Sequence, residues 1–397
     1  MDYICTMIPR IAASKILELA SMFKAVAVTG PRQTGKTTLV RSLFPNKPYL
    51  NFENPDIRLA ANDDPRSLLA KYPDGAVFDE VQQVPVLFSY LQEILDSSDS
   101  TGKFILTGSN NFLLQESISQ SLAGRVGYFH LLPFNLEELK GDFDFSNEDE
   151  MLIRGFYPPV YSPTMSAPEW ISNYIRTYIE RDVRQIKNIN NLLIFEKFMR
   201  LLAGRNGQEL NYSSMATEVG LDTKTLISWV GILESSYIVY LLRPHFRNFN
   251  KMVVKRPKLY FYDTGLVCSL LGIRRIEHIK NHPLRGAIFE SFIVSEILKQ
   301  RAHRGLPIDL YFYRDKTGRE VDIIIEEAVN LYPVEIKSGK TLNSDFFKNL
   351  KYWMNLSGTE KGMLIYAGDF EQEKSDGIKV INWRSLYNFL KIPPGQE

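Results

Sequence analysis

The sequence of 397 residues has little of what marks secreted or membrane proteins. Its two cysteines, Cys5 and Cys268, lie far apart, and two are too few for a disulfide framework or a cysteine-based zinc site. The chain begins without a basic stretch and a long apolar core, so we expect no signal peptide. No apolar run approaches the roughly 20 residues that span a bilayer. We therefore expect a cytoplasmic protein with no membrane partner.

An excess of charge of one sign is also missing. The chain has 47 Lys and Arg residues against 46 Asp and Glu residues, a formal net charge of +1, so the molecule as a whole has no electrostatic reason to bind nucleic acid. The most basic stretch runs from Arg243 to Lys258 and includes Phe246 and Phe249, a pattern that suits either single-stranded nucleic acid or a solvated loop. A hydrophobic content of 44% is ordinary for globular proteins, and the length predicts two or three domains.

A phosphate-binding motif stands near the N-terminus. The apolar run Ala25–Val28 predicts a buried strand, the pattern Gly-x-x-x-x-Gly-Lys-Thr follows it, and the apolar spacing after that predicts a helix from Lys36. Glycines let the backbone N–H groups turn toward phosphates, which the helix N-terminus also attracts. In such loops the lysine reaches the β- and γ-phosphates and the Thr37 hydroxyl binds Mg²⁺. The predicted loop site consists of Gly30, Gln33, Thr34, Gly35, Lys36, Thr37 and Thr38.

Polar residues that complete a phosphate-transfer site follow at plausible distances. Asp79 and Glu80 end a short apolar run; Asp79 can hold Mg²⁺ through water, and Glu80 can orient or deprotonate the attacking water. Ser109 and Asn110 end another predicted strand, where they can touch the γ-phosphate or cap the next helix. Arg125 is either an arginine finger or an ordinary surface arginine.

The middle of the chain predicts a helix-turn-helix. Residues 213–233 read as a short helix, a turn at Gly220 and a second helix, and the apolar run Tyr237–Leu242 predicts a strand after them, as in a winged helix. The second helix holds one basic residue, Lys224. We therefore favour a packing or dimerisation module over DNA binding.

The last third of the chain predicts a second cluster of charged side chains. Glu335 and Lys337 are two apart on one predicted strand and share a face. If Asp322 lies on the neighbouring strand, these three side chains converge, and Glu290 from the preceding helix can join them. Such oxygen ligands suit Mg²⁺, and Lys337 can orient or activate a water for phosphodiester hydrolysis. The alternative is a solvated face of the sheet.

Taken together, these stretches resemble prokaryotic AAA+ ATPases that carry a winged helix and a C-terminal PD-(D/E)XK nuclease-like domain of poorly defined role. The resemblance implies that Lys36, Thr37 and Asp79 bind ATP and Mg²⁺, and that Glu80 catalyses hydrolysis with Asn110 as sensor and Arg125 as finger. It also implies metal ligands at Glu290, Asp322 and Glu335, with Lys337 as the catalytic lysine; Val321 replaces the proline of the family motif. The stretches that carry it are Gly30–Thr38, Asn51–Pro55, Phe78–Gln82, Leu106–Asn110, Leu122–Arg125, Tyr260–Leu266, Gly286–Glu290 and Glu335–Lys337.

We accordingly predict an α/β protein with a parallel-sheet AAA+ ATPase core at 1–147, a helical lid at 148–205, a winged helix at 206–250 and an α/β nuclease-like domain at 251–397. The expected function is ATP hydrolysis, coupled to metal-dependent action on nucleic acid. The alternative is a nucleotide-driven regulatory switch whose C-terminal fold only binds a partner. The expected partners are ATP, DNA or RNA, and a second copy of the chain.

Overall fold

The computed structural model describes residues 8–109, 118, 121–143, 145–178, 192–245 and 255–390. The chain forms two compact units. The first holds the chain through Phe134 together with Ser235–Tyr237 and Ala302–Leu306, and the second holds the remainder. In the described part of the chain, no helix combines the length and the hydropathy that a bilayer crossing requires.

The first unit is built on a sheet of five parallel strands in the order β2-β3-β4-β1-β5. The strands are β1 (Ala25–Thr29), β2 (Tyr49–Asn51), β3 (Val77–Asp79), β4 (Phe104–Gly108) and β5 (Val126–His130). Alternate residues of β1 enter two different hydrophobic clusters, Ala25 and Ala27 one and Val26 and Val28 the other. Both faces of the sheet are therefore covered, as continuous apolar runs predict for parallel strands. The prediction of a parallel-sheet α/β core is confirmed.

The helices of the first unit include the predicted one after the phosphate loop. They are α1 (Ala12–Met22), α2 (Lys36–Leu43), α3 (Pro55–Asp63), α4 (Pro65–Ala70) and α5 (Leu87–Asp96). Helices α3 and α4 each begin with a proline after a capping side chain, Asn54 and Asp64 respectively. The capping side chain accepts hydrogen bonds from backbone N–H groups of the first turn. Proline suits the first position because it lacks an N–H group that the first turn would leave unused.

The second unit contains a mixed sheet of eight strands in the order β12-β13-β11-β10-β9-β8-β6-β7. The strands are β6 (Val239–Pro244), β7 (Lys258–Phe261), β8 (Leu310–Arg314), β9 (Glu320–Glu327), β10 (Asn330–Lys337), β11 (Gly362–Tyr366), β12 (Gln372–Glu373) and β13 (Ile378–Asn382). Strands β9 and β10 are antiparallel, with Val334 opposite Ile323. This register sets the positions of the charged residues described below.

The helices of the second unit are α6 (Leu136–Leu139), α7 (Glu148–Arg154), α8 (Ala167–Tyr178), α9 (Leu192–Gly204), α10 (Tyr212–Val219), α11 (Thr223–Ser235), α12 (Thr264–Leu270), α13 (Ile276–Lys280), α14 (Arg285–His303), α15 (Lys348–Ser357) and α16 (Leu386–Leu390). Helices α10 and α11 form the predicted helix-turn-helix, with Gly220 in the left-handed conformation between them (φ 85°). The apolar spacing of residues 169–189 predicts one long helix; α8 covers its first part, and residues 179–189 lie outside the described part of the chain.

The compact units do not coincide with the four predicted domains. The N-terminal stretch of the first unit runs to Phe134, whereas the predicted boundary is at 147, and most residues of the segments predicted as lid, winged helix and nuclease-like domain lie in the second unit. The predicted strand of the winged helix, β6, pairs with β7 on one side and with β8 on the other. A domain boundary at 250 would therefore cut between two paired strands, because the sequence pattern predicts a strand but not its neighbours.

Candidate functional site

The phosphate loop has the backbone that its glycines predict. Gly30, Gln33 and Gly35 all have positive φ, at 142°, 64° and 87°. A Cβ at Gly30 would lie 2.1 Å from the carbonyl oxygen of Leu131, so this position requires glycine. The Lys36 Nζ, which is buried, donates to the carbonyl oxygens of Gly30 (2.9 Å) and Pro31 (2.8 Å). The ammonium group is thus held within the loop that would surround a phosphate.

Asp79 meets the phosphate loop at the carboxyl end of β3. The Thr37 hydroxyl donates to Asp79 Oδ2 at 2.8 Å, and the Asp79 side chain is buried. Two residues that the sequence reasoning missed also donate to this carboxylate: Tyr49 at 2.6 Å, and Thr107. Burial, and then the hydrogen bond to Asp79, raise the pKa of Tyr49. Tyr49 and Thr107 lie on the strands either side of β3, so the sheet order identifies them whereas sequence spacing does not.

Glu80 follows Asp79 in a left-handed conformation, with φ 54°. Its Oε2 accepts hydrogen bonds from the side chain of Gln82 and from the hydroxyl of Ser109 (2.8 Å). Ser109 directly follows β4, the neighbour of β3, so the ends of these two strands lie side by side. Asn110, the predicted sensor, lies outside the described residues.

Arg10 is a cation near the phosphate loop that no sequence motif indicated. Its guanidinium donates to the carbonyl oxygens of Thr34 (2.8 Å) and Leu132 (2.7 Å) and lies 4.8 Å from the centre of the Phe134 ring. The side chain is 9% exposed. Arg10 therefore ties the residue before Gly35 to the chain that follows β5.

Arg125 does not reach the phosphate loop of its own chain. Its carbonyl oxygen accepts from the amide of Ala25 (3.2 Å), at the start of β1, whereas the loop follows the end of β1. With a rise of roughly 3.3 Å per residue, the two ends of this strand are about 13 Å apart. The guanidinium pairs with Asp96, with 2.9 Å between Nη2 and Oδ2. The geometry therefore does not support Arg125 as an arginine finger for the nucleotide of its own chain.

In the second unit, the strand register brings Asp322, Glu335 and Lys337 together. Because Val334 lies opposite Ile323, Asp322 stands beside Glu335. Asp322 Oδ2 accepts from the amide of Ile336 at 2.7 Å. Lys337 Nζ donates to Glu335 Oε1 at 2.6 Å and lies 3.8 Å from Asp322 Oδ2.

Glu290 joins this group through three residues that the sequence analysis did not assign to it. It accepts from Tyr260 and from Lys258, whose Nζ is 2.9 Å from Glu290 Oε1. Lys258 also contacts Glu320. One carboxylate oxygen from each of Glu290, Glu320 and Asp322 lies within 4.8 Å of the other two. Period-two alternation places Glu320 on the same face as Asp322, which is a signal that could have found it.

Burial dominates the proton affinities in this cluster. It raises the pKa of Glu335 to about 8, with a further contribution from the charge of Asp322. Burial also raises the pKa of Glu290. By itself burial lowers the pKa of Lys258, but Tyr260 and the surrounding carboxylates outweigh it and hold this pKa well above its ordinary value.

The carboxylate oxygens of this cluster are of the kind that binds a hard divalent cation. Carboxylate oxygens are the ligands of Mg²⁺ and Mn²⁺, and the Oε2 atom of Glu335 is buried with no hydrogen-bond partner in the described structure. Such an orphaned oxygen is satisfied by a proton or by a metal ion.

Comparisons with known proteins divide the chain in three. A family model described as "AAA domain" matches residues 22–140, and two described as domains of unknown function, DUF8612 and DUF4143, match residues 145–277 and 285–386. Uncharacterized protein Rv2008c of Mycobacterium tuberculosis and Uncharacterized protein Mb2031c of Mycobacterium bovis are each 31% identical over 382 residues, covering 94% of this chain and 83% of theirs. Among solved structures, the Walker-type ATPase paby2304 of Pyrococcus abyssi matches with a TM-score of 0.47 and 15% identity, over 66% of this chain and 96% of that one.

Proposed function

We propose that this chain binds ATP with Mg²⁺ in its first unit and hydrolyses it. The chain belongs to the family that includes Uncharacterized protein Rv2008c of Mycobacterium tuberculosis, and its residues 22–140 match the AAA-domain model. The observation that carries the proposal is the hydrogen bond between Thr37 and Asp79 beside the loop that holds Lys36. A loop hydroxyl and a strand-end carboxylate in contact are the pair that holds Mg²⁺ in phosphate-loop ATPases.

The residues of the loop have distinct roles in this proposal. Lys36 exchanges its bonds to the Gly30 and Pro31 carbonyls for bonds to the β- and γ-phosphates. Thr37 and Asp79 would hold Mg²⁺, which neutralises charge on the phosphates when it is bound. Glu80 accepts the proton of the water that attacks the γ-phosphorus, while the bond to the β-phosphate oxygen breaks.

Two substitutions test these roles separately. Lys36→Ala should abolish ATP binding, measured with a fluorescent ATP analogue. Glu80→Gln should keep ATP binding but slow hydrolysis by roughly 100-fold or more, because it removes the general base. Lys71→Ala, an exposed lysine of the same unit, is the matched control and should leave both unchanged. Full hydrolysis by Lys36→Ala would refute the proposal.

Arg125 completes the site from a second copy of the chain in our proposal. Its position at the start of β1, away from the loop that follows the end of β1, supports action on a neighbour rather than on its own nucleotide. Arg125→Ala and Glu80→Gln should each be nearly inactive alone. A mixture of the two should regain hydrolysis, because some sites then combine an intact Glu80 with an intact Arg125. Full activity of Arg125→Ala alone would make it an ordinary surface arginine paired with Asp96.

A second candidate function is metal-dependent phosphodiester hydrolysis at the charged cluster of the second unit. It is favoured by the convergence of Glu290, Glu320 and Asp322 and by the partnerless Oε2 of Glu335 in the described structure. These carboxylates would hold the metal ion, and Lys337 would orient the attacking water. Labelled DNA and RNA, incubated with Mg²⁺ or Mn²⁺ with and without ATP, should be cleaved by the wild type and not by Lys337→Met. Intact substrates in every tube would leave the second unit as a partner-binding module of a nucleotide-driven switch.

A further inference from the structure

Lys258 is a buried cation inside the carboxylate cluster of the second unit. It begins β7 and is 3% exposed. Its ammonium group lies 2.9 Å from Glu290 Oε1 and contacts Glu320 Oε1. The rings of Tyr260 and Phe312 flank it, with centroids at 5.9 and 5.7 Å. Few lysines are buried to this degree without a set of acidic partners.

Helix α14 holds Glu290 in place beside Lys258. The hydroxyls of Ser291 and Ser295 donate to the carbonyl oxygens of Phe261 and Tyr262, which end β7 and follow it. Glu290 therefore lies next to this strand, within reach of both Lys258 and Tyr260. The contact is built from packed elements rather than from a long, free side chain.

The two carboxylates that Lys258 contacts are two of the three that would bind a divalent cation. Glu290 and Glu320 form the three-oxygen cluster together with Asp322. The second oxygen of Glu320 is 3.3 Å from the guanidinium of Arg314. An ammonium group and a divalent cation repel each other, so a metal ion bound to the same oxygens would lie unfavourably close to the Lys258 charge. The cluster therefore already holds a cation, and that cation belongs to the chain.

We propose that Lys258 is an internal counter-ion that fills the carboxylate cluster, so that a divalent cation binds there only after the Lys258 ammonium group has left it. This inference rests on the C-terminal site of the second candidate function, whose metal binding it makes conditional. It does not rest on cleavage of nucleic acid. The orphaned Oε2 of Glu335, whose neighbour across the strands is Asp322, lies outside this three-oxygen cluster and is not what the inference rests on.

Removal of Lys258 has a consequence that only a counter-ion role predicts. Three neighbouring carboxylates without their cation repel one another, and loss of one partner of a buried ion pair is strongly destabilising. A divalent ion that enters the vacated position would restore the stability, because a ligand that binds only the folded state stabilises it. The stability of a Lys258 variant should thus become dependent on metal, whereas that of the wild type should not.

The test compares variants of the full chain, without nucleotide and with Asp79→Asn in every protein, so that the ATP site lacks the carboxylate that would hold a metal ion. Lys258→Met keeps most of the length of the side chain and removes its charge. Lys337→Met is the matched control, because Lys337 pairs with Glu335 at 2.6 Å and with Asp322 at 3.8 Å, rather than with the two carboxylates that Lys258 contacts. Lys258→Met combined with Glu290→Gln removes a metal ligand from the vacated cluster. Melting temperature and Mn²⁺ affinity, the latter by electron paramagnetic resonance, are measured with Mn²⁺ and with a chelator.

We expect the melting temperature of the wild type to be the same in Mn²⁺ as in chelator. Lys258→Met should melt lower in chelator and recover in Mn²⁺, with Mn²⁺ bound at least about tenfold more tightly than by the wild type. Neither Lys337→Met nor the double variant should show that gain. If Lys258→Met does not fold in either condition, Mn²⁺ binding is compared between the wild type and the single variant Glu290→Gln. Weaker Mn²⁺ binding by Glu290→Gln would show that Glu290 binds the metal while Lys258 is present, and this would overturn the proposal.

The outcomes separate this inference from the nuclease hypothesis. Tight, Glu290-dependent Mn²⁺ binding and cleavage by the wild type would refute the counter-ion role and support the nuclease. A gain of Mn²⁺ binding in Lys258→Met, with no cleavage by any variant, would support the counter-ion role and refute the nuclease.

Discussion

Arg10 and Asp79 hold different parts of the phosphate loop through polar contacts that lie far apart in the sequence. Arg10 bonds the carbonyl oxygen of Thr34, and Asp79 bonds the hydroxyl of Thr37. Lys36, which lies between Thr34 and Thr37 in the sequence, donates to the carbonyl oxygen of Gly30. At this scale the site is a set of hydrogen bonds that keeps a strained backbone in shape, and each can be removed singly.

Arg10→Ala should weaken ATP binding without abolishing hydrolysis. The variant loses two hydrogen bonds from a charged donor, each worth about 1.5–3 kcal/mol, and with them the link from Thr34 to Leu132. We expect the KM for ATP to rise roughly tenfold or more with a smaller change in kcat. Steady-state ATP hydrolysis measures both. Arg10→Lys keeps the charge but loses the two-pronged donor, and an intermediate KM would identify the fork as the important feature. An unchanged KM in Arg10→Ala would show that the loop does not need this link.

His130 predicts a pH dependence of stability in the first unit. Its Nδ1 lies 2.7 Å from the Thr29 hydroxyl and 2.6 Å from that of Tyr237, and burial lowers its pKa. Below the ordinary histidine pKa of about 6.5 the unfolded chain binds a proton that the folded chain does not. The free energy of unfolding should therefore fall as the pH drops from about 7 to 5, by up to about 1.4 kcal/mol per pH unit.

Denaturant unfolding at several pH values, followed in His130→Asn and the wild type, measures this effect. The variant is expected to be less stable at neutral pH and to have a flatter pH profile. His278→Asn, at an exposed histidine on α13, should keep the wild-type profile. A wild-type slope that survives in His130→Asn would assign the effect to another group.

At the scale of elements, the phosphate loop depends on how closely it passes the chain after β5. Gly30 has φ 142° and lies where a Cβ would be 2.1 Å from the Leu131 carbonyl oxygen. That oxygen belongs to the backbone, so it cannot rotate away as a side chain would. Strands β1, β3 and β4 of this sheet were predicted from apolar runs, because continuous hydrophobic stretches reflect burial on both faces. The close approach at Gly30 depends on β5 being the neighbour of β1, which no run of residues indicates.

Gly30→Ala should lower the free energy of unfolding by about 3 kcal/mol or more, because both the backbone conformation and the contact exclude a side chain. ATP binding should be lost with it. Gly231→Ala is the control: Gly231 lies in α11, where a methyl group would meet nothing within 4 Å, and alanine there should be neutral or stabilising by up to about 1 kcal/mol. Chemical denaturation of both variants checks the contrast, and a Gly30→Ala protein of wild-type stability would contradict the close packing.

At the scale of the whole molecule, β6 decides where the chain can be divided. It lies between β7 and β8 in the eight-stranded sheet, although the sequence pattern attached it to the helix-turn-helix before it. Lys224 is the basic residue among the exposed residues of α11, and the exposed Asp222 lies just before the helix, so these residues do not form a basic surface. This pattern supports packing over DNA binding as the role of these helices.

A fragment of residues 251–397 should therefore fail to fold, whereas a fragment of residues 135–397 should fold. The shorter fragment lacks β6 and leaves the strands on both sides of it, β7 and β8, without their shared partner; unpaired strand edges promote aggregation. Circular dichroism and thermal unfolding of the two fragments compare them directly. Cooperative unfolding of the fragment 251–397 would support the domain boundary predicted at 250.

Short-range patterns in the sequence were sufficient for β1, β3 and β4 of the first sheet, for the phosphate loop and for the shared face of Glu335 and Lys337. These features follow from residue type and from periods of 2 and 3.6, which neighbouring residues express by themselves. They account for the fold class and for most of the ATP site that we propose.

Only the tertiary structure could bring Lys258 to Glu290 and Glu320, Arg10 to the phosphate loop, and Arg125 to the strand end away from it. These positions depend on strand order, direction and register, which are set when whole faces of a sheet are buried together. The free energy of that burial is shared among many residues distant in sequence, so no local stretch carries the information. The cluster that holds Lys258 therefore becomes visible only when the second sheet is assembled.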